Sequence, residues 1–476
     1  MPLRLKVRAA LIGVACATCL AGPVLSAHGA ETGVNVAPTR GDYFTSPSVH
    51  AAIANLHPAW VRLFMGWNAM EPARGVYNTA RLADYHAFLN HLPAGTRVIL
   101  DLEGTPAWAA GGSSNVATPP ADNQSFAGFA NYVANAFRGK VSAYEIGDEE
   151  DTSTYWTGTP AQYAALLKAA YPAVKSADPA ASVILGGLAG NDYQFLSEVY
   201  AAGARGSFDA VAVHTDDACD VTAPSVFAFE PGTRTINRWY FLGFTSVHAT
   251  MTANGDGSKP ILMTEFGWSS TTAECASGHW AGQKAQGVSQ ATQASFLAQA
   301  YHCLAQPQYS YVEAALWFQL YDIGAGTAAA DNYGLLNTQM QPKPAYDAFL
   351  GVSQHPDTLT GACGAPAASK PTVIKPQAPH TAGPRLDVLS PRAGQRYHGT
   401  LLVRVVAIAR STAIAFIELH VGHRHILNFR GGAAIARGEI RWYGAARLSR
   451  GRHTITLIAR AVNGTQTSRT VSVFHR

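Results

Sequence analysis

Two glutamates, Glu149 and Glu265, are the residues of this chain best placed to do chemistry together. Each ends a short strand-like apolar run. Val141–Ile146 breaks at Gly147 into four consecutive acids, Asp148, Glu149, Glu150 and Asp151. Downstream, Pro260–Thr264 (PILMT) leads into Glu265 and then FGW. A strand that ends by delivering a carboxylate into a loop suits a (β/α)8 barrel, where chemistry collects at the C-terminal ends of the strands. Two such carboxyls on one face, one protonated and one ionised, form the pair that cleaves glycosidic bonds. For Glu150 and Asp151 a simpler role suffices, since acids at a helix start complement its dipole.

The pair needs a frame, and the chain supplies one by alternation. Strand-like runs are Gly33–Ala37, Trp60–Phe64, Arg97–Leu102, the run before Glu149, Ser182–Leu185, Asp209–Val213, Pro260–Thr264 and Val312–Trp317. Between and after them the spacing predicts helices over Ser46–Leu56, Ala80–Leu92, Phe126–Phe137, Pro160–Lys175, Tyr193–Ala201, Arg234–Thr252, Ser289–Leu304 and Pro344–Leu350. Eight strands, each followed by a helix, meet the requirement of a closed parallel barrel. The fold class is therefore α/β, a barrel over residues 31–352.

The chain has 476 residues, more than such a barrel needs. Residues 353–384 are rich in proline among Ala, Thr, Lys and Gln, the composition of an extended linker. From Arg385 to Arg476 the pattern changes to period two, as in LLVRVVAIA and HTITLIARAV, with glycines between the runs. That pattern predicts a small all-β sandwich. The charge is divided along the same boundary. Residues 385–476 hold 15 Arg, no Lys and three acids, whereas residues 1–384 are net acidic. Arginine forks suit carboxylate and phosphate groups, so the basic module is expected to meet an anionic polymer or cell envelope.

Residues 1–30 have the form of a secretion signal, with Arg4, Lys6 and Arg8 before the apolar stretch Ala9–Leu20. That stretch is too short to span a membrane, so a secreted or wall-associated location is expected. Cys219, Cys275, Cys303 and Cys363 remain after such cleavage, an even number in an exported chain. Sequence allows three pairings. Cys219–Cys275 and Cys303–Cys363 are expected, because the first pair lies on neighbouring loops after strands six and seven.

The motifs EIGDEED (145–151), ILMTEFGW (261–268), GTPAWA (104–109), DAVAVH (209–214) and ALWFQ (315–319) together resemble the clan of retaining glycosidases with glutamates on strands four and seven. The resemblance is to glycoside hydrolase families 39 and 5, and it spans most of residues 33–350. The EIGxE form is also similar to the β-glucuronidase and heparanase families. The tail module resembles bacterial immunoglobulin-like domains, through LSPRAGQRYHGTLLVRVVAIA and LSRGRHTITLIARAVNG. The clan resemblance implies that Glu149 is the acid/base and Glu265 the nucleophile. It implies that Arg62 supports the nucleophile, that His214 bonds a substrate hydroxyl or Glu265, and that Trp317 stacks on a sugar ring. Trp67, Trp108, Trp268 and Trp280 are further aromatic candidates.

Two positions depart from the clan pattern. Asp148 stands where an asparagine usually contacts the sugar 2-hydroxyl, and a carboxylate accepts there but cannot donate as an amide does. After His214 come Thr215 and Asp216, so the usual His-x-Tyr is missing. No cofactor is implied. The histidines of HVGHRH (420–425) alternate across a strand with no cysteine nearby, which disfavours a metal site. No phosphate-cradling loop or Gly-x-Ser-x-Gly elbow is present, and no nucleic-acid partner is expected. The competing reading is a non-catalytic glycan-binding barrel in an adhesion or matrix protein.

Overall fold

The computed structural model describes residues 29–36, 44–215, 219–230, 233–273, 279, 286–323, 329–363, 384–409, 414–422, 424–430, 435–442, 445, 448–461 and 466–476. Residues 1–28 of the expected signal sequence and 364–383 of the expected linker thus lie outside the described residues, as do Cys275, Trp280, Asp216 and His423.

Eight parallel strands close a barrel in sequence order: β1 (Glu31–Asn35), β2 (Trp60–Gly66), β3 (Arg97–Glu103), β4 (Ala143–Asp148), β5 (Ser182–Ala189), β6 (Ala210–Thr215), β7 (Ile261–Phe266) and β8 (Val312–Trp317). The outer helices are α1 (Pro47–Leu56), α2 (Trp67–Met70), α3 (Thr79–Leu89), α4 (Asn123–Ala136), α5 (Pro160–Ala177), α6 (Tyr193–Ala201), α7 (Phe244–Ala253), α8 (Gln290–Leu304) and α9 (Pro344–Gln354). Local chemistry starts several of them. Thr159 and Gln162 form a reciprocal capping box on α5, while Asp122, Asp192 and Ser289 cap α4, α6 and α8. One expected helix is shorter than its apolar pattern suggested. Residues 234–243 run as turns and a 3-10 segment before α7, because Ile236 bridges back to Phe229 instead of joining the helix.

Strand alternation sorts the core into two layers. Outward side chains such as Leu63, Leu100, Ile146, Val183, Val213 and Met263 pack under the helices. Inward ones, including Trp60, Ile99, Ala143, Ile184, Leu262 and Leu316, fill the N-terminal end of the barrel with an apolar floor. Gly33 belongs to this layer, and a Cβ there would run into the Leu316 side chain. Trp60 closes the bottom, donating from Nε1 to Glu31 at 2.8 Å beneath the Arg97 guanidinium.

The C-terminal module forms two sheets. One has the order β10 (Gln395–Tyr397), β16 (Gln466–His475), β15 (Gly451–Ala461), β12 (Ile414–Val421), β13 (Arg424–Arg430). The other has the order β14 (Ile435–Trp442), β11 (Leu401–Ile408), β9 (Arg385–Ser390). Val403 and Val405 of one sheet share a core with Ile417, Leu419 and Leu457 of the other, which makes the module a β-sandwich. Its strands alternate buried and exposed residues, as the period-two pattern required.

Cys303 and Cys363 lie with their sulfurs within bonding distance, at the end of α8 and past α9. The other expected pairing reaches Cys275, outside the described residues.

Candidate active site

Above the apolar floor the barrel interior turns abruptly polar. The inward phase that carries Trp60 on β2 carries Arg62 one step later. On β3 it carries Ile99, then Asp101 and Glu103, and on β4 Ala143, then Glu145. Arg62 is fully buried and is the hub. Its Nε donates to Glu145 Oε2 at 2.6 Å. Nη1 donates to Glu265 Oε1 at 2.5 Å and Asn35 Oδ1 at 3.3 Å. Nη2 donates to Asp148 Oδ1 at 2.8 Å and Asp101 Oδ2 at 3.3 Å. A guanidinium has five N–H groups, and these contacts use all of them. Burial alone would weaken the Arg62 charge, but Glu145, Asp101, Asp148 and Glu265 outweigh it and raise its pKa.

Glu149 and Glu265 reach this layer through irregularities at the strand ends. Thr264 follows the inward phase of Leu262, so regular alternation would turn Glu265 outward. The β7–β8 register shifts between Met263 and Phe266, and both Thr264 and Glu265 join the interior network. Such a bulge re-aims a side chain beside an active site. On β4 the same result comes from backbone conformation. Gly147 has φ +82°, where a Cβ would strike the Glu150 carboxyl, and Glu149 itself adopts φ +55°. A left-handed glutamate is uncommon and is held by its surroundings. Glu149 N–H donates to Gly187 O at 3.1 Å, and Asp148 N–H to Glu150 Oε1 at 2.8 Å.

His214, at the end of β6, joins the two glutamates. Its Nδ1 lies 3.0 Å from Glu149 Oε1 and 3.9 Å from Glu265 Oε2. Its Nε2 lies 3.1 Å from Thr264 Oγ1, which donates to Glu145 Oε1 at 3.0 Å. The imidazole sits against Gly187, and no side chain fits at that position. The bonded carboxylate is that of Glu149 rather than Glu265. His214 is 1% exposed.

Arg62, Asp148, Glu149, His214 and Glu265 are therefore brought together. The tryptophans are not. Trp317 points out of the barrel, is wholly buried against Phe266 and Trp268, and donates from Nε1 to Tyr333 O at 2.9 Å. It cannot stack on a sugar, because Leu316 and not Trp317 holds the inward phase on β8. Trp67 and Trp268 are likewise core residues, and Trp108 is half-buried with Nε1 on Glu71 O. Phe318, just past β8, and Tyr155, in the loop after β4, are aromatic rings that keep some surface. Tyr155 is 41% exposed. Its hydroxyl pKa is raised by burial and by Asp148, Glu149, Glu265 and Glu103 around it.

Sequence reasoning missed Asn35, Asp101, Glu103, Glu145, Thr264 and Tyr155. A signal existed for Asp101, Glu103 and Glu145: Asp101 and Glu103 stand at alternate positions at the end of RVILDLE, and Glu145 interrupts the apolar start of AYEIGD. Burial pushes Asp101 and Glu145 above the usual carboxylate range even with Arg62 beside them. Burial, and then the Asp148 charge, push Glu103 up to about 7. Glu150 is raised too, mainly by burial, and serves as a structural acid under the β4 loop.

The fold and this set of side chains define a barrel hydrolase with paired carboxyl groups at the strand ends. The family description Cellulase (glycosyl hydrolase family 5) matches residues 25–306, more than half of the chain, and the chain belongs to that family. It is a glycoside hydrolase. No curated protein sequence matches it. Among solved structures, a family 39 glycoside hydrolase from the gut symbiont Bacteroides cellulosilyticus WH2 shares the fold with a TM-score of 0.55. The two are 17% identical, over 87% of this chain and 80% of that one. The exo-beta-1,4-mannosidase Op5Man5 from Opitutaceae bacterium strain TAV5 gives a TM-score of 0.48 at 17% identity, over 70% of this chain and 60% of that one. GH5_18 from Streptomyces cattleya in complex with GlcNAc gives 0.49 at 18%, over 70% and 82%.

Asp151 offers a test of how the β4 loop is held. It accepts from Ala189 N–H at 3.1 Å and pairs with Arg238, yet burial pushes its carboxyl up to about 8. The folded protein then keeps a proton that the unfolded chain has released above about pH 4. This contribution to stability is complete below pH 4 and is lost as the pH rises towards 8. Thermal melts should show Tm falling between pH 5 and 8, and falling less in Asp151→Asn. Equal slopes for the two proteins would contradict this account of Asp151.

Proposed function

We propose that the protein is a retaining β-glycosidase acting on a polysaccharide or glycoconjugate, with Glu265 as nucleophile and Glu149 as acid/base. The observation that carries the reading is the position of both carboxyls around one histidine nitrogen, 3.0 and 3.9 Å away. Their oxygens are thus no further apart than the sum of those distances. That bound accommodates the separation of about 5–5.5 Å used by retaining pairs. Arg62 orients Glu265 through Oε1, while Oε2 turns towards His214 and Glu149.

In the first step Glu265 attacks the anomeric carbon, and the bond to the leaving oxygen breaks as Glu149 gives that oxygen its proton. The product is a glycosyl ester on Glu265. Glu149, now a carboxylate, takes a proton from water as the water oxygen attacks the same carbon and releases Glu265. Glu149 keeps 23% of its side-chain surface exposed against 8% for Glu265, which suits the residue that must meet the leaving group and water.

Azide separates the two roles. Glu149→Ala should still attack an aryl β-glycoside with a good leaving group, then stall for lack of a base. Added azide should restore turnover and give the β-glycosyl azide. Glu265→Ala with azide should give the α-glycosyl azide, because azide then enters from the vacated face. The same anomer from both variants would refute the assignment.

We also propose that the C-terminal sandwich binds an anionic polymer or envelope. Among the described residues its three acids pair in Arg385–Asp387, Arg404–Glu439 and Arg460–Glu418, against 15 arginines in residues 385–476. Retention on an anionic glycan column should weaken steeply with salt and disappear when residues 385–476 are deleted. Unchanged retention after the deletion would sink the proposal.

A further inference from the structure

The catalytic end of the barrel is short of positive charge. Asp101, Glu103, Glu145, Asp148, Glu149 and Glu265 converge there, and the described network sets one arginine and one histidine against them. The arginine has no donor to spare, since its five N–H groups are used. Several acceptors remain without a donor among the described residues, the Glu103 carboxyl among them. Asp101 Oδ1 is fully buried and unbonded. Asp148 is 6% exposed and binds Arg62 through Oδ1, while no described residue donates to its Oδ2.

The place of Asp148 says which part of a substrate it meets. Asp148, His214 and Glu265 each present an atom within 4.8 Å of the others, and Asp148 makes a similar cluster with Asp101 and Glu103. Taking Glu265 as the nucleophile, its carboxylate must reach the anomeric carbon. A carboxylate beside it then faces the substituent on the adjacent ring carbon, C2. A group that only accepts requires a donor there. A hydroxyl donates one neutral bond. An ammonium donates with full charge, roughly doubling the strength of the bond, and offsets the surplus of carboxylates. An acetamido group offers one N–H but brings a carbonyl into a set of acceptors, which works against it.

We propose that Asp148 selects a sugar bearing a free 2-amino group at the point of attack, so that the substrate is a de-N-acetylated amino-sugar β-glycan. This rests on Glu265 being the nucleophile. The charge of the whole barrel agrees: residues 31–352 hold 27 acids against 15 basic residues, a field that draws in a cationic polymer. The basic sandwich carries the opposite charge and is not the part that meets such a substrate.

The test uses the full chain and aryl β-glycosides with one leaving group, in gluco and galacto configurations. Each is supplied with a 2-amino, 2-hydroxy or 2-acetamido substituent. In at least one configuration, kcat/KM near pH 6 should be ten-fold or more higher for the amino sugar than for either counterpart. Asp148→Asn should reduce the amino-to-hydroxy ratio by about ten-fold, through KM more than kcat. The unaltered protein gives an independent reading, because the preference must fade as the pH rises and the sugar amine loses its proton. A preference for the hydroxy or acetamido sugar, or one that ignores both pH and Asp148→Asn, would overturn the inference and leave the glycosidase reading standing. Turnover of none of the glycosides would overturn both.

Discussion

The site depends on one buried cation. Arg62 rises from β2 into the closed end of the polar layer and spends every N–H it has on five side chains from four other strands. Taking a guanidinium out of water is costly, and carboxylates recover that cost only when the geometry satisfies both sides. Here the geometry is set by the barrel, because Asn35, Asp101, Glu145, Asp148 and Glu265 come from β1, β3, β4 and β7 or their ends. Removing the cation would leave four carboxyls facing one another in a space sealed from below by Trp60, Ile99 and Leu262. The same arrangement explains why Glu265 is fixed while Glu149 is more exposed. One is tied to Arg62, the other to His214 at the rim.

The candidate site is concentrated where the barrel departs from regularity. A strictly alternating β7 would present either Thr264 or Glu265 to the interior, but not both. The bulge supplies both, and Thr264 then links His214 to Glu145. On β4, Gly147 and the left-handed backbone of Glu149 turn two adjacent carboxyls towards one cavity. The acids that follow, Glu150 and Asp151, brace this turn from beneath, through Asp148 N–H and Ala189 N–H. The four-acid run thus sets two carboxyls in the interior network and two beneath the turn.

Much of this was legible in the chain. Eight apolar runs with helical stretches between them led to the barrel, and their starts and ends fell close to the observed strands. The glutamate pair was visible because each member followed a strand and preceded a glycine-containing or aromatic loop. What could not be read was the phase of each strand. Trp317 and Leu316 are adjacent, and only closure of the barrel decides which one enters it. The buried carboxylates Asp101 and Glu145 looked like ordinary strand charges until Arg62 was found between them. His214 was expected to bond a substrate hydroxyl or Glu265; its Nδ1 lies 3.0 Å from Glu149 and 3.9 Å from Glu265, a difference set by the strand-end irregularities rather than by spacing.

The central claim is that Glu265 forms the covalent bond to the sugar, and direct capture of that bond tests it. A 5-fluoro glycosyl fluoride forms a slowly released glycosyl ester while leaving the C2 substituent intact. After reaction with the full chain, digestion and mass spectrometry should find one sugar on the peptide that contains Glu265. A label on the Glu149 peptide would contradict the account, as would a substrate-competent protein that carries no label.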